Sequence, residues 1–122
     1  VQAGSYTLMD TAYAALPDLP FERALSLWCT VIHVSDGWAV ADGGLKALGM
    51  DHGNPSVDGA DVLFCSDEHT TFVPGPSDRV TVGDRIRLWP AHVDPTVALH
   101  EVLHVVHDDQ VVDAWPVDLR GW

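Results

Sequence analysis

The chain has 122 residues, with eighteen acidic against six basic side chains and a formal net charge of -12. Nucleic acids and anionic membranes are bound through lysine and arginine, so this charge excludes both as partners. The sequence also lacks an apolar run of the roughly 18 residues that a membrane-spanning helix requires. We therefore expect one cytoplasmic domain over residues 1–122. Its two cysteines, Cys29 and Cys65, lack CxxC spacing and are expected to be buried free thiols.

The first third of the chain predicts short elements separated by turns. Residues 5–8 are expected to form a short strand. Asp10 then precedes a run of helix formers and is a good helix N-cap, so we expect a short helix over residues 11–16. Residues 23–34 and 38–41 are rich in β-branched and aromatic side chains. They predict a long strand, a turn and a second strand.

The rest of the chain continues this alternation of strands and turns. Glycine, aspartate and asparagine are concentrated in residues 46–55, which indicates a loop. Beyond it the expected elements are a hairpin at residues 61–65 and 69–73, a strand at 85–89, a helical turn within 96–101 and a hairpin at 102–107 and 111–116. Short strands with frequent turns predict a mainly antiparallel β barrel or sandwich with one or two short helices.

Two side chains that can bind metal, His92 and Asp94, lie in the segment Trp89-Pro90-Ala91-His92-Val93-Asp94-Pro95. A proline disfavours helical geometry for the residue before it, so we expect this segment to be extended rather than helical. In an extended segment alternate side chains leave the same face, so the imidazole and the carboxylate can converge on one cation. The alternative is a hydrogen-bonded histidine beside an aspartate that opens a turn.

A second motif, His100-Glu101-Val102-Leu103-His104, matches the HExxH pattern of zinc proteases, and His107 offers a third ligand. This chemistry requires a helix, because only a helix brings positions i and i+4 together on one face. The valines of residues 102–112 favour strands instead. A small zinc metalloprotease is therefore the alternative function, and strand histidines are the preferred interpretation of His104 and His107.

Residues 83–101, which contain the first motif, are continued by residues 111–117 and 120–121 in a pattern that resembles one known family. Further matching blocks, in the family's order, are Gly4-Ser5-Tyr6, Asp10, Asp42-Gly43-Gly44-Leu45-Lys46-Ala47, Asp51 and Glu68-His69. The family is the C-terminal domain of the D-threonine aldolase and D-serine dehydratase-like enzymes. There a pyridoxal-phosphate (PLP) barrel of the alanine racemase type precedes the domain, and the given sequence does not contain this barrel.

The resemblance implies a function for a longer parent protein and a narrower one for this chain. The parent is expected to be a homodimeric lyase, dependent on PLP and a divalent metal, that cleaves or dehydrates small D-configured β-hydroxy amino acids. His92 and Asp94 match the family's metal pair, which suits Mn²⁺, Zn²⁺ or Mg²⁺. The Schiff-base lysine is expected in the barrel, so Lys46, the only lysine here, is not expected to be catalytic.

The chain alone is thus expected to supply a metal site and to have no turnover of its own. Four further residues, Asp42, Asp51, Tyr6 and His100, are candidates for lining the site where this domain meets the barrel. The ordinary alternative for the two aspartates is that they form turns beside glycines. A non-catalytic interaction domain is a third option for the chain as a whole.

Overall fold

The computed structural model describes residues 4–118 and 120. Its elements in chain order are a 3-10 helix Ser5–Thr7, α1 Thr11–Ala14, β1 Leu27–Ser35, β2 Trp38–Ala41, β3 Ala60–Cys65, β4 Thr70–Pro74, β5 Arg85–Leu88, α2 Val93–Ala98, β6 Val102–His107 and β7 Gln110–Pro116. The strand pairs within this range are antiparallel. The predicted fold class is therefore confirmed. No helix in the described part of the chain is long and apolar enough to cross a membrane.

Five of the described strands form one sheet in the order β3-β4-β2-β1-β5, and β6 pairs with β7 in a separate hairpin. The segment after the long loop connects the two edges of the sheet. Ser56 exchanges two backbone hydrogen bonds of 2.9 Å with Trp89, which follows β5, and Val57 forms a bridge with Ala60 at the start of β3. These bridges draw the edges together and curl the sheet into a half-barrel.

The core lies inside this curl. Alternate side chains of a strand leave opposite faces, so Cys29 and Val31 of β1 point inward together, as do Ala39 and Ala41 of β2. The buried cluster is completed by Leu48, Phe72 and Leu88. Small alanines on the central strand leave room for the large side chains from neighbouring segments. The half-barrel therefore has a hydrophobic core of its own.

Two local predictions were wrong. Residues 5–7 form a 3-10 helix rather than a strand. The segment after His92 is helical, because α2 begins at Val93 although Pro95 follows two residues later. A proline in the first turn removes an N–H group that has no partner within the helix, so a helix can begin there. Val1, Gln2, Ala3 and Gly121, to which the expectations about the chain ends and the resemblance extend, lie outside the described residues.

Candidate metal centre

His92 occupies the N-cap position of α2, where its backbone is still extended. A buried threonine in the same helix joins it to a distant loop. The hydroxyl group of Thr96 donates to the carbonyl of His92 at 2.7 Å and accepts from the backbone N–H of Gly49 at 2.9 Å. A Cβ atom at Gly49 would collide with Pro95, so only glycine allows the loop this close to α2. The loop is thereby held beside the histidine.

The turn at residues 50–53 carries the partner of the histidine. The N–H of Gly53 donates to the carbonyl of Met50 at 3.1 Å, and the positive φ of Gly53, 108°, lets the chain reverse. Asp51 in this turn has its Oδ2 atom 2.6 Å from Nδ1 of His92. This hydrogen bond is the main reason that the pKa of Asp51 lies below its usual value. Asp51, predicted only as a site-lining residue, thus contacts the predicted ligand directly.

The hydrogen bond to Asp51 determines which nitrogen of His92 is available. An ionised carboxylate can only accept, so the proton lies on Nδ1, and Nε2 of the neutral imidazole keeps its lone pair. Nε2 lies 3.9 Å from Oδ2 of Asp94, whose side chain is 71% exposed. Since metal–ligand distances are about 2.0–2.2 Å, two atoms this far apart can share a cation between them. The predicted pair is therefore close together, through a helix N-terminus rather than through a strand.

Two further side chains, Asp10 and His52, complete a cluster around His92. One ligand atom from each of the three residues lies within 4.8 Å of the others. The rings of His52 and His92 are stacked, with centroids 4.0 Å apart and an interplanar angle of 7°. The N–H of Thr11 donates to the carbonyl of Pro90 at 3.2 Å, which holds the start of α1 against the segment that precedes His92.

Asp10 is fully buried, and its two carboxylate oxygens have different surroundings. Oδ1 accepts from the backbone N–H of Tyr13 at 2.9 Å, which is the predicted N-cap of α1. Oδ2 is buried and has no hydrogen-bond partner among the residues that the structure describes. A buried polar atom without a partner is unusual and costs free energy.

The other three site-lining candidates make contacts elsewhere. Tyr6 is half exposed and its ring packs on Phe21 at 5.0 Å. Oδ1 of Asp42 accepts from the backbone N–H of Thr30 at 2.6 Å, which fits the ordinary alternative of a strand-end residue. Nε2 of His100 is 2.8 Å from the carbonyl of Ala47. These contacts do not bring the three residues to His92, and their role at an interface with another domain stays a prediction.

The HExxH motif does not have the geometry of a zinc protease. α2 ends at Ala98, and Val102–His107 is strand β6, so His100 lies in the connection between them and His104 lies on the strand, without a helix through both. The Nε2 atom of His100 must donate to the Ala47 carbonyl and therefore has no free lone pair. Glu101 pairs with Arg120 at 2.6 Å. The metalloprotease alternative is wrong.

Lys46 does not have the surroundings of a Schiff-base lysine. Its ammonium group is exposed and lies 2.6 Å from a carboxylate oxygen of Glu68. This hydrogen bond and the charge of Glu68 raise the pKa of Lys46, which keeps the amine protonated. A nucleophilic lysine needs the opposite shift. The expectation that Lys46 is not catalytic agrees with this geometry.

The sequence interpretation missed Asp10 and His52 as members of the cluster. Asp10 was predicted correctly as a helix cap, which accounts for only one of its oxygens. His52 had no pattern beyond its loop. The usable signal was the resemblance itself, since Asp10 and Asp51 fall in matching blocks although more than forty residues separate them.

A further cleft of the described chain lies away from this cluster. It has a volume of about 690 Å³ and separates the outer face of the sheet from the β6–β7 hairpin. Trp28, Arg87, His104 and Asp109 are among its lining residues, whereas His92 and Asp10 are not. The cluster with the metal-binding side chains is therefore separate from this cleft.

A β half-barrel with a histidine and carboxylates at one helix start defines the class of domain, and comparisons with known proteins identify the family. The family model described as "putative serine dehydratase domain" matches residues 24–106. The chain belongs to this family, which confirms the resemblance noted in the sequence.

Named relatives agree with this assignment. A 3-hydroxy-D-aspartate aldolase of Paracoccus denitrificans is 37% identical over 133 residues, covering 99% of this chain and 34% of the relative. A D-threonine aldolase of an Arthrobacter species is 36% identical, covering 100% of this chain and 34% of the relative. The chain therefore spans about a third of these two proteins. An uncharacterised protein of Mycobacterium bovis is 33% identical, and 87% of its length is matched.

Solved structures show the same fold. The crystal structure of D-threonine aldolase from Filomicrobium marinum superposes with a TM-score of 0.86 at 38% identity, covering 97% of this chain and 35% of that chain. A mutant D-threo-3-hydroxyaspartate dehydratase in a metal-free form gives a TM-score of 0.80 at 26% identity, covering 98% and 38%. The chain thus matches somewhat more than a third of each of these longer enzymes.

Proposed function

We propose that this chain is the metal-binding domain of a PLP-dependent and divalent-metal-dependent lyase that acts on D-configured β-hydroxy amino acids. The observation that carries the proposal is the arrangement of His92. Nδ1 of His92 is hydrogen-bonded to Asp51, and Nε2 of His92 lies 3.9 Å from a carboxylate oxygen of Asp94. This arrangement occurs in a chain that is 36–37% identical to proteins named as aldolases of D-amino acids.

The donor set fits a divalent cation. A neutral imidazole together with a carboxylate suits Mn²⁺, Zn²⁺ or Mg²⁺, and a carboxylate on the other ring nitrogen is the usual support of a ligating histidine. His92 and Asp94 would hold the ion. A bound divalent cation would acidify a hydroxyl group that coordinates it, which is the group a β-hydroxy amino acid offers for cleavage.

The residues of this chain would have different roles at the metal site. Asp51 keeps the ring of His92 in one orientation and one tautomer. The exposed carboxylate of Asp94 leaves the outer side of the site open to a small substrate. Two ligands from the start of one short helix leave several coordination positions unfilled, so a substrate and water can enter.

PLP itself does not fit this chain, because the only lysine is the exposed and ion-paired Lys46. The cofactor would be held by residues outside the given sequence, in the barrel that the resemblance implies. No step of the reaction is therefore assigned to PLP here. The cytoplasmic location and a homodimeric parent stay predictions.

Isothermal titration calorimetry with Mn²⁺ tests the metal site in the 122-residue chain. We expect His92→Ala to weaken binding by at least about 100-fold and Asp94→Ala by at least about 10-fold, since each removes a ligand. His104→Ala is the matched control, because His104 lies on an exposed face of β6. Equal affinities for His92→Ala and the unchanged chain would contradict the proposal.

A chimera tests the reaction. This chain would replace the corresponding third of the Filomicrobium marinum D-threonine aldolase, whose structure it matches over 97% of its length. We expect the chimera to cleave D-threonine to glycine and acetaldehyde only when Mn²⁺ is supplied, and the same chimera with His92→Ala to be inactive. Cleavage that does not depend on metal or on His92 would count against a site-completing role.

A second candidate is a metal-binding domain that works without a PLP barrel. The match to 87% of the uncharacterised Mycobacterium bovis protein favours it, since that relative consists mostly of this domain. Both candidates predict that the chain binds Mn²⁺ in calorimetry. Only the lyase proposal predicts that the chimera cleaves D-threonine.

A further inference from the structure

We propose that Asp10 is a third protein ligand of the metal ion held at His92. The inference rests on the proposed function and extends it, because it adds a residue from a different part of the chain. Asp10 belongs to the start of α1, while His92 and Asp94 belong to the start of α2. A metal ion bound by all three would tie the N-terminal segment to the half-barrel.

The surroundings of the Asp10 carboxylate are the first argument. Oδ1 is used by the helix cap, while Oδ2 is buried without a hydrogen-bond partner among the described residues. Burying an oxygen of a carboxylate without a partner costs several kcal/mol by common measures, so such atoms occur where a water or an ion completes the site. A cation at His92 would supply the missing partner.

Position is the second argument. A carboxylate oxygen of Asp10 lies within 4.8 Å of a nitrogen of His92. The backbone hydrogen bond from Thr11 to Pro90 holds the start of α1 against the segment that precedes His92. Metal–ligand distances of about 2.0–2.2 Å place two ligands of one ion up to about 4.4 Å apart, so Asp10 and His92 could share an ion after a change of side-chain rotamer, and the exposed side chain of Asp94 would turn towards them.

His52 belongs to the same cluster but cannot be the third ligand as it lies. The lone pair of an imidazole nitrogen lies in the plane of the ring. The rings of His52 and His92 are nearly parallel and 4.0 Å apart, so a cation in the plane of His92 is well outside the plane of His52. His52 therefore packs on the face of His92 and leaves coordination to Asp10.

The two proposed carboxylate ligands, Asp10 and Asp94, differ in solvent exposure. Asp10 is fully buried, whereas the side chain of Asp94 is 71% exposed. Asp10 would hold the ion from the interior of the domain, and Asp94 would hold it from the side that faces solvent. The coordination positions that remain open would lie on the side of Asp94, where a substrate hydroxyl can approach.

Asp10→Asn tests the inference directly. Asparagine keeps the volume and is as good an N-cap, but it removes the anionic ligand. In the 122-residue chain we expect Mn²⁺ affinity by calorimetry to fall at least about 10-fold, and water-proton relaxation of bound Mn²⁺ to show one additional water. Without metal, the melting temperature of Asp10→Asn should equal or exceed that of the unchanged chain, because the unpartnered carboxylate is gone.

Asp10→Ser is a second variant that retains the cap without the carboxylate, in case the asparagine side chain packs poorly. Asp84→Asn is the matched control, since both oxygens of Asp84 already accept hydrogen bonds from Thr81. His52→Ala discriminates within the cluster, and we expect it to weaken Mn²⁺ binding less than Asp10→Asn does.

Each result decides between the two proposals. If His92→Ala and Asp94→Ala abolish binding while both Asp10 variants bind Mn²⁺ like the unchanged chain, the Asp10 assignment is overturned and the proposed function stands. A larger loss from His52→Ala than from Asp10→Asn also overturns the assignment. If the unchanged chain does not bind Mn²⁺, both proposals fail. A loss in the Asp10 variants, with one more bound water, supports the third ligand.

Discussion

Two of the regions that contain histidines, the surroundings of His92 and the β6–β7 hairpin, differ in how their side chains are brought together. Around His92, contacts join segments that are far apart in sequence, as in the pair Asp51–His92, whose members are 41 positions apart. In the β6–β7 hairpin, the strands pair only across one short turn, and all of β7 is exposed. In this chain, segments that are distant in sequence bring the side chains around His92 together. A motif within one local stretch of sequence does not by itself bring its side chains together.

The HExxH segment is the more specific pattern in sequence, yet its histidines do not meet. His100 is tied to the loop carbonyl of Ala47 and His104 lies on the following strand. The His-x-Asp pattern is shorter and less specific, but the loop at residues 49–53 contacts His92 and the start of α1 contacts the segment just before it. The strand state of residues 102–107 thus removes the helical geometry that the HExxH motif requires.

The largest expected effect separates the half-barrel, which holds the His92 cluster, from the β6–β7 hairpin by how much each contributes to the free energy of unfolding. Phe72 in β4 is 1% exposed within the core, whereas Trp115 in β7 is 56% exposed. We expect Phe72→Ala to lower the free energy of unfolding by about 3–5 kcal/mol, through lost burial and a cavity. Trp115→Ala should lower it by less than about 1 kcal/mol. Urea unfolding of both variants measures this.

Phe64→Ala is the control for residue type, because Phe64 is 55% exposed on β3 of the same sheet. It should resemble Trp115→Ala rather than Phe72→Ala. If Trp115→Ala lowered the free energy of unfolding as much as Phe72→Ala, the hairpin would belong to the cooperative core and the two regions would not differ in stability.

A buried thiol should make the stability of the half-barrel depend on alkaline pH. Burial, aided by the charge of Asp42, raises the pKa of Cys29 to about 12. Between the ordinary pKa of a thiol and this value, the unfolded chain has lost the proton that the native chain retains. Stability therefore falls as pH rises through this window, by about 1.4 kcal/mol for each pH unit from this group.

Urea unfolding of the unchanged chain and Cys29→Ala at several pH values from about 8 to 10.5 checks this effect. The variant should lose stability less steeply, although its stability at neutral pH is lower because the core has a smaller side chain. Cys65→Ala is the comparison, since Cys65 is only half buried. Parallel pH curves for the unchanged chain and Cys29→Ala would contradict the prediction.

The smallest expected effect is that of Glu101→Gln at the start of the hairpin. In a zinc protease this change would remove the general base and abolish peptide cleavage. Here Glu101 pairs with Arg120 on the surface, so we expect unchanged Mn²⁺ affinity by calorimetry and unchanged D-threonine cleavage in the chimera. A lower Mn²⁺ affinity would mean that the hairpin contributes to the metal site after all.

Local chemistry in the sequence was sufficient for most of the fold. Strand-like composition bounded by turn residues predicted β2, both hairpins and the strand before Trp89, since both signals are local in sequence. Asp10 was recognisable as a cap because capping involves only the next three residues. The strand expected over residues 23–34 begins later, at Leu27, where pairing with Leu88 of β5 starts.

Tertiary structure decided the features that depend on distant partners. Pro95 argued for an extended segment, but burial of Val93 and the hydrogen bonds of Thr96 stabilise a helix that begins at residue 93. No local pattern could show that Asp10 and His52 lie beside His92, because their positions follow from how the loop and α1 pack on the half-barrel. Residue types limit what a site can do, whereas convergence in space determines which of them form it.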